Sequence, residues 1–239
     1  MTATPLRMVC FPHAGAGMMT YYPWRSALAG RIEVRVVESP GRVGRPDDPP
    51  AGTVAELLSI VEQRAQPLLH PPYVLYGHSL GALLAFETAR RLSAQGRAPA
   101  LLVVSGRNAP TVPAAIAEIH KLPDEQFLQA VDQLDSSMPG LRSQPELAQL
   151  FLPTLRSDLT LAETYDYHDG PPLSCPILSI QGEDDPVVSR PGVAAWAAHT
   201  TGRCTFRWMP GEHLFHLAGG AGFLTQLSEL MREALSSPA

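Results

Sequence analysis

The chain has 239 residues, 45% hydrophobic and 17% charged, with a formal net charge of -5. That balance excludes a disordered, collagenous or coiled-coil chain, and the acidic surplus argues against a general nucleic-acid binder, which needs a basic face to displace phosphate counterions. No apolar run reaches the roughly 18 residues of a membrane-spanning helix, so one domain over residues 1–239, with no membrane span, is expected.

In chain order the first strand is predicted at Leu6–Phe11. The apolar stretch Met8–Phe11 is too short, and has too little positive charge before it, for a signal peptide, so a cytoplasmic location is expected. A leading edge strand is not expected, because few residues precede Leu6. After the strand comes Phe11-Pro-His-Ala-Gly-Ala-Gly17, whose small residues let backbone approach a ligand. It lacks the G-x-x-x-x-G-K-[ST] pattern of a phosphate-binding loop. Met18, Met19, Tyr21, Tyr22 and Trp24 follow, as core or as the wall of an acyl pocket.

Strands are then predicted at Ile32–Glu38, Tyr73–Tyr76, Leu101–Ser105, Ile177–Gln181 and Thr205–Met209, with helices at Val54–Gln66, Leu80–Ala94 and Gly192–Ala198. Apolar runs alternating with helices indicate an α/β chain with a mostly parallel sheet covered on both faces. Residues from about 107 to 170 break the rhythm. Two amphipathic helices are read there, one over about Asp124–Leu134 and one beginning at a Ser143–Glu146 capping box, with Pro153 kinking or ending the second. A helical insertion of this length suits a lid over a site. The three cysteines, Cys10, Cys175 and Cys204, are too few and too scattered for a disulfide framework and read as buried thiols.

Gly77-His78-Ser79-Leu80-Gly81 matches G-x-S-x-G between an apolar strand and an Ala/Leu-rich helix, the context that exposes a nucleophilic serine at a sharp turn. A serine hydroxyl needs a base, and in this arrangement the order is serine, acid, histidine. The acid belongs in Gly182-Glu-Asp-Asp-Pro186. Asp185, just before the proline, is chosen over Asp184. The base is expected at His213, after the last strand, with His216 as its rival. His78 is read as part of the turn, and His70, His120, His168 and His199 as surface or loop residues. His213 and His216 have no cysteine or carboxylate cluster to complete a metal site, so no metal is expected. Oxyanion donors are expected from the N–H groups of Leu80 and Ala14.

These motifs, with Pro40-Gly-Arg42, Leu155-Arg-Ser-Asp158 and Gly211-Glu-His-Leu-Phe215, resemble in order the free-standing type II thioesterases that accompany polyketide synthases and nonribosomal peptide synthetases. The resemblance implies an α/β-hydrolase fold with a helical lid over residues 107–170, and a triad of Ser79, Asp185 and His213. It implies hydrolysis of acyl groups from the phosphopantetheine arm of carrier proteins, with no other cofactor. A monomer is the default expectation for an acidic chain of this kind. Departures from the family pattern are Leu80 where methionine is common, Leu214 where phenylalanine is usual, and His216 at a usually apolar position. Met18 and Met19 are the pocket candidates, and Arg42, Arg45 and Arg156 either meet an acidic carrier or serve structure. The same triad would also suit a carboxylesterase or lipase, or an acyltransferase. A silent scaffold would not need all three groups.

Overall fold

The computed structural model describes residues 5–236, less 43, 115, 117 and 135–140. The six strands form one fully parallel sheet: β1 (Leu6–Phe11), β2 (Ile32–Val36), β3 (Tyr73–His78), β4 (Leu101–Ser105), β5 (Ile177–Gly182) and β6 (Cys204–Met209). Their order across the sheet is β2-β1-β3-β4-β5-β6. All six predicted strands are present, shifted by at most two residues at an end.

The helices are α1 (Tyr22–Ala27), α2 (Val54–Ala65), α3 (Leu80–Ala94), α4 (Asp124–Asp132), α5 (Pro145–Glu163), α6 (Arg190–Ala194), α7 (Phe215–Ala218) and α8 (Gly220–Ser236). Alternate strand residues feed opposite faces, as the two-residue period of a strand requires. Val9, Phe11, Leu75, Leu102 and Val104 pack with α2 and α3. Met8, Cys10, Val74, Tyr76 and Val103 pack with Trp24 of α1 and with Phe223, Leu224 and Leu227 of α8. Tyr21 and Trp24 are therefore core residues beneath the sheet. The sequence reading did not single out α1 or α8.

Three local expectations are corrected. The helix read from Ser143 begins at Pro145, with Gln144 at the N-cap and no side-chain cap. Proline suits the first helical position, where its missing N–H has no intrahelical partner to lose. Pro153 does not end α5, which runs on to Glu163. Burial of Leu155, Asp158, Leu159 and Leu161 beyond the proline holds the helix together. The helix expected over Gly192–Ala198 is a five-residue α-helix capped by Ser189, continued by a 3-10 turn over Ala195–His199.

The chain goes from β1 outward to β2 and then back to β3 on the other side of β1. Ligands bind at such a switch point, beyond the carboxyl ends of the strands. Phe11, before the glycine-rich turn, is in register with Gly77, two residues before Ser79. Gly182, before the acidic turn, is in register with Met209, before the histidine loop.

The crossing at β3 and α3 is the tightest point of the fold. A Cβ on Gly77 would collide with the Gly81 carbonyl, and a Cβ on Gly81 with the carbonyls of Phe11 and Pro12. Rigid backbone of this kind cannot yield as a side chain can, so Gly81→Ala should cost roughly 3 kcal/mol, the upper end of overpacking costs. Denaturant unfolding against the parent protein checks this.

Candidate active site

Ser79 lies between β3 and α3 at φ 55° and ψ -116°, a backbone region that L-residues rarely occupy. Its N–H donates to the Ser105 carbonyl at the end of β4 (2.8 Å), and its own carbonyl accepts from Ala82 N (3.0 Å). The strained residue is thus tied to both neighbouring elements. A backbone held against its preference is worth noting where it exposes a reactive side chain.

Asp185 follows β5 with its carboxylate fully buried. His213 Nδ1 donates to both carboxylate oxygens, at 3.0 Å each. With the proton on Nδ1, Nε2 is the acceptor, the tautomer a general base requires. Val187 N also donates to Asp185 Oδ1 (2.9 Å). Asp184 and Glu183 are exposed, and their backbone N–H groups pin the turn to Gly211 and Met209. Burial and geometry both single out Asp185. His213 N donates to the Leu134 carbonyl (3.2 Å), which ties the histidine loop to the segment after α4.

Ser79 and His213 line one chamber of about 470 Å³. Ser79 Oγ makes no hydrogen bond to His213 in this structure. Ala14 and Gly15 form one wall, and Ile119, Leu134, Leu155 and Leu159 make much of the rest apolar. Leu80 is buried behind Ser79 as the first residue of α3, where a backbone N–H has no intrahelical acceptor. Neither Leu80 N nor Ala14 N is hydrogen-bonded among the described residues. Gly15 N, by contrast, is occupied by Asp158 Oδ2 (2.7 Å).

Asp158 decides between the two roles left open for Arg42. Its carboxylate, on α5, also pairs with the Arg42 guanidinium, and both side chains are buried. Arg42 Nε donates to the Ala16 carbonyl (2.8 Å) and Nη1 to Pro40 (2.8 Å). Burial pushes the Asp158 carboxyl up, against the pull of Arg42. Arg42 is therefore no carrier contact. It anchors the glycine-rich turn. Arg156 is structural as well: it donates to the Leu122 carbonyl (2.7 Å) and Asp124 (2.8 Å) and stacks over Phe127 at 4.1 Å. Arg45 is exposed. Met18 and Met19 are exposed too, on an adjoining depression that shares Gly15, Ala16, Thr20 and Phe151 with the chamber. They do not line the chamber itself.

Four imidazoles, those of His13, His78, His213 and His216, cluster at the ends of β1, β3 and β6. His78 stacks on His216 with centroids 3.9 Å apart, His13 meets both edge-on, and His78 lies 5.0 Å from His213. His78 Nδ1 pairs with Ser105 Oγ (2.9 Å), consistent with a role in the turn. Burial and the neighbouring imidazoles push the pKa of His13 down to about 3 and those of His78 and His216 well below the ordinary range. Both His216 ring nitrogens are buried without a hydrogen-bond partner among the described residues, so no carboxylate orients this ring as Asp185 orients His213. Of the histidines expected on the surface or in loops, His199 is buried against Phe86 and Trp196 on a 3-10 turn, and His120, half-buried, pairs with Glu163. All three cysteines are free, with Cys10 and Cys175 buried and Cys204 half-buried. No group of three or more metal-binding side chains occurs among the described residues.

With this geometry in hand, the comparisons with known proteins are specific. Residues 6–234 match the thioesterase domain family. The chain is 35% identical to the gramicidin S biosynthesis protein GrsT of Aneurinibacillus migulanus, across 90% of this chain and 84% of that protein. It is 36% identical to thioesterase PikA5 of Streptomyces venezuelae, across 88% of this chain and 75% of that one. The solved type II thioesterase BorB from the borrelidin biosynthetic cluster superposes with a TM-score of 0.88 at 35% identity, covering 98% of this chain and 94% of that one. The chain belongs to the thioesterase family, and its fold is that of the α/β-hydrolases.

Two measurable consequences follow from the buried charges and imidazoles. Removing one partner of the Arg42–Asp158 pair leaves a buried charge uncompensated, so Asp158→Ala should lose about 3–5 kcal/mol in chemical denaturation. For the histidines, the unfolded chain takes up protons as pH falls below about 6.5, whereas folded His13, His78 and His216 do not. The unfolded state then binds more protons, so stability falls with falling pH, by about 1.4 kcal/mol per pH unit for each histidine. Urea unfolding at pH 7 and pH 5 should show this loss, and His216→Phe should flatten the slope.

Proposed function

We propose that this thioesterase-family enzyme hydrolyses acyl groups from the phosphopantetheine arm of carrier proteins. On this reading it clears stalled or aberrant acyl units from a polyketide or nonribosomal peptide synthase, as a cytoplasmic monomer. The observation that carries the reading is the His213 imidazole, held in one tautomer by Asp185, in the same apolar chamber as a strained serine. The similarity to thioesterase PikA5 and to the type II thioesterase BorB of the borrelidin cluster supports this reaction class. Among the described residues no helix is long and apolar enough to cross a membrane.

Hydrolysis runs in two steps. His213 Nε2 takes the Ser79 proton as Oγ attacks the thioester carbonyl carbon. The carbonyl oxygen becomes an oxyanion, which the N–H groups of Leu80 and Ala14 receive. Asp185 stabilises the imidazolium without taking its proton. The intermediate collapses, the carbon–sulfur bond breaks, and His213 returns its proton to the pantetheine thiolate. Water, deprotonated by His213, then attacks the acyl-serine ester and releases the free acid and Ser79.

The test is intact-mass spectrometry of acyl-loaded carrier proteins mixed with the parent enzyme or with Ser79→Ala, with aryl esters alongside. Loss of acyl mass to free holo-carrier by the parent, reduced at least about 1,000-fold in the variant, is expected. Rapid aryl-ester cleavage without any carrier deacylation would instead mark a general esterase.

A further inference from the structure

Arg107 stands immediately beyond β4 and Gly106, two residues after Ser105, whose carbonyl holds Ser79 N. It is part of the wall of the catalytic chamber. Its backbone is fixed on both sides: its N–H donates to Gln181 Oε1 (3.2 Å), and its carbonyl accepts from Trp196 Nε1 (3.0 Å). The guanidinium has five N–H donors in a rigid fork. Among the described residues the guanidinium makes one hydrogen bond, from Nη2 to the Ala162 carbonyl (3.2 Å). Arg107 forms no ion pair among the described residues. None of its nitrogens is a buried atom without a partner, so the donors not given to Ala162 open onto accessible space.

Other charged groups in the chamber wall do not answer it. Glu163 is held by the His120 imidazole and by the N–H groups of Ile119 (3.2 Å) and His120 (3.1 Å). Asp132 also lines the wall. Burial lowers the Arg107 pKa only to about 10, so the side chain is charged at neutral pH. An enclosed guanidinium facing a largely apolar cavity is costly unless something polar enters with the ligand.

We propose that Arg107 is a specificity-determining residue that binds an acceptor oxygen on the acyl chain, so that the enzyme favours oxygenated acyl groups over plain alkyl ones. The oxygen lies beyond the thioester carbonyl, because that carbonyl is taken by Leu80 and Ala14. A ketone and a carboxylate share this acceptor chemistry, and the carboxylate uses both prongs of the fork. The inference rests on the thioester-hydrolase reading above and adds the class of acyl group to it.

The test uses pantetheine thioesters of butanoic acid, 3-oxobutanoic acid and the half-acid of succinate, with parent enzyme, Arg107→Met and Arg107→Lys. The quantity read is the ratio of kcat/KM for each oxygenated substrate to that for butanoyl. A hydrogen bond to a charged donor predicts a parent ratio above about 10 and a fall of about 10- to 100-fold in Arg107→Met, with partial recovery in Arg107→Lys. Whichever oxygenated substrate has the larger ratio identifies ketone or carboxylate. A residue that only braces α5 through Ala162 would lower all three substrates together and leave the ratio fixed, which overturns the proposal. A parent ratio near one overturns it without any variant, so the test survives a variant that does not fold. Butanoyl turnover with no preference sinks this inference alone, whereas no turnover of any thioester sinks the hydrolase reading and this inference with it.

Discussion

One strained residue organises the site. Ser79 sits at φ 55° between the central strand β3 and helix α3, a conformation that costs on the order of 1–3 kcal/mol and persists only where the surroundings enforce it. They do so by close approach. Gly77 and Gly81 leave no room for a Cβ between the strand, the helix and the turn after β1. That contact brings the glycine-rich turn after β1 beside Ser79 and starts α3 immediately after it, with the free N–H groups of the first helical turn and the positive end of the helix dipole at the serine.

The Arg42–Asp158 pair adds a second constraint, which joins the helical insertion to the oxyanion turn. Asp158 rides on α5 and holds Gly15 N, while Arg42 holds the Ala16 carbonyl. A shift of α5 therefore moves the backbone that borders the chamber. The histidine loop has its own tie to the insertion, through His213 N and the Leu134 carbonyl. The insertion is thus joined by two separate ties to the two loops that border the chamber. Burying an ion pair adds little net stability, and its value here lies in fixing one arrangement.

Much of this was legible in the sequence, for identifiable reasons. The strands are short, strongly apolar and punctuated by Gly and Pro, so all six stood out, and Asp185 and His213 fell at the ends of two of them. Helix α8 was not singled out, although Phe223, Leu224, Leu227 and Met231 bury one face of it. An amphipathic stripe near the end of a chain has no strand after it to frame it. The roles of Arg42 and Asp158 were not legible, because the partners lie 116 residues apart and no local pattern links them. A charged residue in isolation reads as surface, and only the fold shows that both are buried. The same holds for Arg107, whose place in the chamber depends on the neighbourhood of β4 and α5. Helix α5 passing Pro153 shows tertiary burial outweighing a local breaker.

On the proposed mechanism acyl groups pass through a covalent ester on Ser79. Rapid-quench mass spectrometry of the enzyme during turnover of an acyl-loaded carrier protein would detect that ester. A transient increase of one acyl mass, mapped by digestion to the peptide containing Ser79 and decaying as free acid appears, is expected. Turnover with no acyl adduct at any quench time, or an adduct on another residue, would contradict it.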